Sequence, residues 1–117
     1  MNKLIEKAER EIKEFVLPKL PIKKFIIKKM YKDNNYLGFY KSGSVYKIPI
    51  IKLNITCIKQ SAKDICNLDI SLYDIILSTI LHELAHALQD LKDLPPLEEE
   101  AEVFAYEYTI FGKVLKI

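Results

Sequence analysis

Apolar residues recur at helical spacing at the start of the chain, at Leu4, Ile5, Ala8, Ile12, Phe15 and Val16, with Glu, Lys and Arg filling the other side. This pattern predicts an amphipathic surface helix from Asn2 to Leu17, stopped by Pro18 and Pro21. From Ile22 to Tyr31 β-branched and aromatic residues dominate, so a strand is expected there, followed by a turn at Asp33-Asn34-Asn35. A second strand is expected from Tyr36 to Lys41, a turn at Ser42-Gly43-Ser44, and a third strand from Val45 to Thr56. Pro49 cannot donate to a ladder, which argues for an edge position for that third strand. The three together read as a small, mainly antiparallel meander.

The connection through Asp64 to Asp69 carries little signal. Ser71 and Asp74 then have the spacing of a capping box and open a long helix to about Leu91. Its stripe of Leu77, Leu81, Leu84, Leu88 and Leu91 is joined by Ile76, Ile80 and Ala87 on a second face, the pattern of a central, largely buried helix. Pro95 and Pro96 break the chain, and Glu98, Glu99 and Glu100 suit the positive N-terminus of a last helix carrying Leu97, Ala101, Phe104, Tyr108, Phe111 and Leu115 on one side. Gly112 is a point where that helix could end early. The class implied is α+β: an N-terminal helix, a small sheet with an edge strand, a buried helix and a helix backing it.

Composition narrows the class of protein. The 117 residues are one domain's length, 1–117, with half of them apolar and 29% charged, as in a compact soluble chain. No apolar run reaches membrane-helix length, and the N-terminus lacks the apolar centre of a secretory signal, so no membrane association and a cytoplasmic location are expected. The richness in Lys and Ile is common in thermophiles and equally in AT-rich genomes. Charge is unevenly spread: Met1 to Lys59 holds 14 basic and 5 acidic residues, Gln60 to Ile117 holds 4 and 11. Lys23, Lys24, Lys28 and Lys29 lack the interleaved aromatics of a nucleic-acid platform and read as solvated strand faces. Cys57 and Cys66 fit neither a disulfide framework nor the close spacing of zinc modules, and read as buried or half-buried thiols.

The chemistry is concentrated in His82-Glu83-Leu84-Ala85-His86 on the buried helix. Residues four apart share a helix face, so both imidazoles can bind one zinc, while Glu83 is rotated about 100° away and can reach a metal-bound water as general base without being a ligand. Thr79, His82, His86 and Gln89 form a polar row on an otherwise apolar helix, and a metal would supply the partners that a buried polar row needs. Both histidines of the chain are used, so a third ligand must be a carboxylate or a cysteine. Glu98 and Glu102 lie a turn apart on the last helix, where small Ala101 and Ala105 allow close approach to the central one. Glu98 is therefore expected as the third ligand, and Glu102 as the carboxylate holding a histidine's other nitrogen. Glu99 or Glu100 takes the ligand's place if the helix register differs.

His82-Glu83-x-x-His86 followed by Glu98-x-x-Ala101-Glu102 resembles the gluzincin pattern of zinc metallopeptidases, with Glu102 where that family usually has Asp. The short chain and its element order look most like the minigluzincins and selecase-like small peptidases, although the motifs span only Leu72 to Phe111. The resemblance implies a minimal gluzincin fold, one Zn2+ per chain, and hydrolysis of a protein or peptide substrate with Glu83 as general base. It also implies latency through self-association or through the tail, Lys113 to Ile117, occluding the cleft. An oxyanion donor would come from Tyr106 on the backing helix, or from Tyr73, Tyr46 or Tyr40. The strand with Ile48, Ile50, Ile51 and Lys52 would form the upper rim, on which an extended substrate adds as one more strand. The alternative is a non-catalytic, zinc-stabilised interaction or regulatory domain.

Overall fold

The computed structural model describes residues 1–41, 48–64, 72–110 and 113–114. Helix α1 (Asn2–Phe15) buries Ile5, Ala8 and Ile12 as its periodicity requires, and it ends two residues short of the expectation in a 3-10 turn, Leu17–Lys19, around Pro18. Strands β1 (Ile26–Met30), β2 (Gly38–Lys41) and β3 (Ile50–Asn54) form one sheet, and α2 (Ile55–Asp64) follows β3 without a break. Helix α3 (Leu72–Leu91) and helix α4 (Glu98–Glu107) complete the core, and a short hairpin pairs β4 (Thr109–Ile110) with β5 (Lys113–Val114). The architecture is α+β.

The sheet departs from the expected meander. Its order is β1-β3-β2, with β3 parallel to β1 and antiparallel to β2, so it is mixed and β3 is its central strand. Pro49 misled because it stands just outside the ladder: its carbonyl accepts the Ile26 N–H at 2.9 Å, and its missing N–H is not needed. Ile51 and Leu53, both fully buried, fix β3 at the centre. The loop 31–37 crosses over the end of β3 to reach its far side, and Asn54 is what holds it there. This fully buried side chain accepts the Lys32 N–H at 3.1 Å and donates to the Asn34 Oδ1 and the Tyr36 carbonyl, each at 2.9 Å, while its own N–H reaches the Leu37 carbonyl at 2.8 Å.

Two helices also differ from expectation. Helix α2 takes Thr56, read as the end of a strand, and the residues after it; its buried Ile55, Cys57 and Ile58 pack beneath α3. Helix α4 stops at Glu107 and does not run to Leu115, because β-branched Thr109, Ile110 and Val114 favour the hairpin that follows. The capping serine, Ser71, and the stripe residues Phe111 and Leu115 lie outside the described residues, as does Gly112.

Helix α3 is the hub. It touches α1, α2, α4, β2 and β3, and Ile76, Leu77, Ile80, Leu81 and Leu84 are wholly buried. Its end is defined by Asp93, in the left-handed region at φ 55°, and by the Leu94 N–H returning to the Gln89 carbonyl at 2.8 Å. That tight cap, with Pro95 and Pro96 after it, folds α4 back onto α3. Among the described residues no helix is long and apolar enough to cross a membrane.

Removing the Asn54 carboxamide takes away its part-buried hydrogen bonds to the Lys32 N–H, the Asn34 side chain and the Tyr36 carbonyl, at about 0.5–1.5 kcal/mol for each bond lost. Asn54→Ala is expected to lower unfolding free energy by at least about 1.5 kcal/mol in urea titration and to speed amide exchange at Lys32. An unchanged Lys32 exchange rate would contradict this role.

Candidate metal centre

Of the polar row expected on α3, Thr79, His86 and Gln89 are each less than a tenth exposed, while His82 is half-buried; Glu83, offset from that row, is buried as well. The two imidazoles pack edge to face, with ring centroids 4.9 Å apart. One nitrogen from each, together with a Glu83 carboxylate oxygen, lies within 4.8 Å of the others. Helix α4 brings Glu98 onto this group. Its Oε2 is 2.7 Å from His82 Nε2 and its Oε1 is 3.1 Å from His86 Nε2, so one carboxylate spans both rings. Fully buried Ala101 and nearly buried Ala105 are what let α4 come this close.

The outer nitrogens decide what the inner ones can do. Glu102 Oε1 lies 2.6 Å from His82 Nδ1, and a carboxylate can only accept, so Nδ1 carries the proton. Gln89 Oε1 lies 2.8 Å from His86 Nδ1. Its amide orientation is set from the other side, where Nε2 donates to the Leu97 carbonyl at 3.0 Å and to Glu100 Oε2 at 3.1 Å, both of them acceptors. His86 Nδ1 is therefore also a donor. In neutral imidazoles both Nε2 lone pairs then face the Glu98 carboxylate, acceptor against acceptor, which is unfavourable unless a cation sits between them. Two imidazole nitrogens and one carboxylate, with the other ring nitrogens held by oxygen acceptors, are a donor set that could hold a divalent metal ion.

Each expected site residue can now be placed. His82, Glu83, His86, Glu98 and Glu102 are brought together. Glu100 serves Gln89 and is not a ligand, and Gln89 does for His86 what Glu102 does for His82. Gln89 stood in the polar row without an assigned role; its position three residues after His86 was the available signal. Tyr106 is 81% exposed and does not border the cleft, whereas Tyr40 does. Tyr73 turns instead towards α1, where Lys7 Nζ sits 4.7 Å above its ring. Cys57 is a buried free thiol on α2, and Tyr46, Cys66 and the segment from Leu115 to Ile117 lie outside the described residues.

An open cleft of about 820 Å³ lies over the group. Its rim is β2 with the preceding loop, Asn35 to Tyr40, and not the expected strand at Ile48 to Lys52, because β3 is interior. Glu98 and Glu102 form the α4 side. Burial pushes the Glu83 carboxyl above the usual range; His82 and His86 pull it down, and Glu98 pushes it up again. The Tyr40 hydroxyl donates to Asp90 Oδ2 at 2.7 Å, and burial first, then Asp90, raises its pKa and keeps it protonated. Compared with known families, curated proteins and solved structures, the chain gives no match.

Gly38 sets how closely β2 lies on α3. A Cβ there would come 2.6 Å from Thr79 Cγ2, 3.0 Å from the Lys52 carbonyl and 3.4 Å from Glu83 Cγ. Thr79 cannot easily turn away, because its hydroxyl is bonded to the Ile75 carbonyl at 2.6 Å. Gly38→Ala is expected to cost about 1–3 kcal/mol in denaturant unfolding, as overpacked cores do, and Thr79→Ser, which deletes the colliding methyl, should recover most of it. No recovery would place the strain elsewhere.

A carboxyl whose pKa is raised by folding favours the protonated folded state, so its contribution is fully present below the unfolded value and is lost as pH rises through the folded one. Chelated Glu83→Gln should therefore be more stable than the parent at neutral pH, with the advantage shrinking as pH falls through the acid range. Equal melting temperatures at neutral pH would contradict the burial cost.

Proposed function

We propose that this chain is a zinc-dependent peptide hydrolase of gluzincin type. The observation that carries the reading is the convergence of His82 Nε2, His86 Nε2 and the Glu98 carboxylate beside buried Glu83 in an open cleft. His82, His86 and Glu98 would hold the ion, and Glu102 and Gln89 fix both rings in the tautomer that leaves Nε2 free to bind it. When bound, zinc lowers the pKa of a coordinated water towards 7 and polarises a carbonyl oxygen.

Glu83 has the properties of the base. It borders the cleft, and no hydrogen bond to its carboxyl is formed among the described residues. Burial raises its basicity. It would take a proton from the attacking water and return it to the departing amine nitrogen. Tyr40, protonated and at the rim, replaces Tyr106 as the side chain best placed to steady a developing oxyanion, on release of its bond to Asp90.

The purified chain should bind one equivalent of zinc and cleave an unfolded protein such as casein, with a chelator abolishing cleavage. Glu83→Gln should keep the zinc and lose about 10²–10⁴ in rate. Gln89→Ala should weaken zinc about 10–100-fold, read by competition with a chromophoric chelator. A Glu83→Gln protein that cleaves like the parent would overturn the reading. A zinc-loaded protein that cleaves nothing would favour a zinc-stabilised interaction domain.

A further inference from the structure

The walls of the cleft carry one sign of charge. Asp74, Glu83, Asp90, Glu98 and Glu102 all border it, and among the described residues no Lys or Arg does, in a chain with 18 basic residues. Lys28 and Lys29 ride on β1, separated from the rim strand β2 by β3, and neither Lys41 on β2 nor Lys52 on β3 borders the cleft. Two of the five carboxylates are poised for a ligand. Glu83 is 7% exposed and without a hydrogen-bond partner among the described residues, yet borders the cavity. Asp90, one turn beyond His86, gives Oδ2 to Tyr40 at 2.7 Å, which orients its carboxylate and leaves Oδ1 without a partner among the described residues. On the rim side, Tyr36 and Phe39, with ring centroids 5.3 Å apart, border the same cavity and offer ring faces that attract cations.

The geometry points to a cleft that selects cationic peptide segments, with Asp90 as the anchor for a lysine or arginine side chain. This rests on the peptide-hydrolase reading for what happens next, but the selection itself requires only the charges. A divalent ion cancels at most two of the five carboxylates, so the cleft stays negative with or without it. Low-dielectric walls on one side of a cleft focus such a field and raise the local concentration of oppositely charged ligand.

The test separates selection from cleavage. Three short labelled peptides, identical except for alternate Lys, Ser or Glu, are titrated by fluorescence anisotropy against Glu83→Gln, once with one equivalent of zinc and once in chelator. In both conditions the lysine peptide should bind at least about tenfold tighter than the serine peptide and the glutamate peptide weakest, with the gap narrowing between about 50 and 300 mM salt. Asp90→Asn, added to Glu83→Gln, should cut lysine-peptide affinity about two- to fivefold, the size of one exposed ion pair, and leave serine-peptide affinity unchanged. Equal affinity for lysine and serine peptides, or no binding by any of the three, would overturn the proposal, and this comparison stands even where Asp90→Asn fails to fold. Lysine-selective binding without cleavage by the parent protein would sink the hydrolase reading and leave this one standing. Equal cleavage of the serine and lysine peptides by the parent would do the reverse.

Discussion

Burying a polar face on a central helix is the constraint from which the rest of this structure follows. Helix α3 is surrounded by α1, α2, α4 and two strands, so every polar group it turns inward must find a partner. Thr79 satisfies itself on its own backbone, at Ile75. The histidines cannot, and the chain supplies Glu98, Glu102 and Gln89 around them from α4 and the end of α3. The close return of α4, with Asp93 capping α3 and Ala101 at the contact, reads as the means of delivering those partners. Among the described residues Glu83 is the member left without a hydrogen-bond partner, and burial raises its pKa.

The chain thus holds its site between two rigid supports. On one side the α3–α4 contact fixes the imidazoles through Gln89, itself tied to Leu97 and Glu100. On the other, buried Asn54 pins the loop that leads into β2, and Gly38 lets that strand lie against Thr79 and Glu83. The two supports set the width of the cleft and the orientation of the rings, and those are what a reaction at Glu83 would depend on.

Much of this was legible in the sequence, and for identifiable reasons. Helices α1 and α3 announce themselves because their burial is one-sided or nearly complete, and the spacing of His82, Glu83 and His86 converts directly into shared and offset helix faces. Two histidines, both spent, and a run of acids one helix later directed attention to Glu98 and Glu102, while counting alone left Glu99 and Glu100 open; the contacts with His82 and His86 single out the first pair. The sheet was less legible. A turn signal at Asp33 to Asn35 says that the chain reverses, not which side of β3 it reaches, and the answer lies in Asn54, twenty residues away. Pro49 was informative about one N–H and silent about the strand after it. The role of Gln89 needed the orientation of an amide, which no spacing rule contains.

The proposed centre has two imidazole nitrogens and one Glu98 oxygen as the protein ligands of a single zinc. X-ray absorption at the zinc edge of the stoichiometrically loaded protein tests this directly. A sphere of nitrogen and oxygen only is predicted, at about 2.0–2.2 Å, with two imidazoles contributing outer-shell scattering. Glu98→Ala should change that sphere, and Glu99→Ala should leave it intact. A sulfur shell at about 2.3 Å, or a spectrum indifferent to Glu98→Ala, would contradict it.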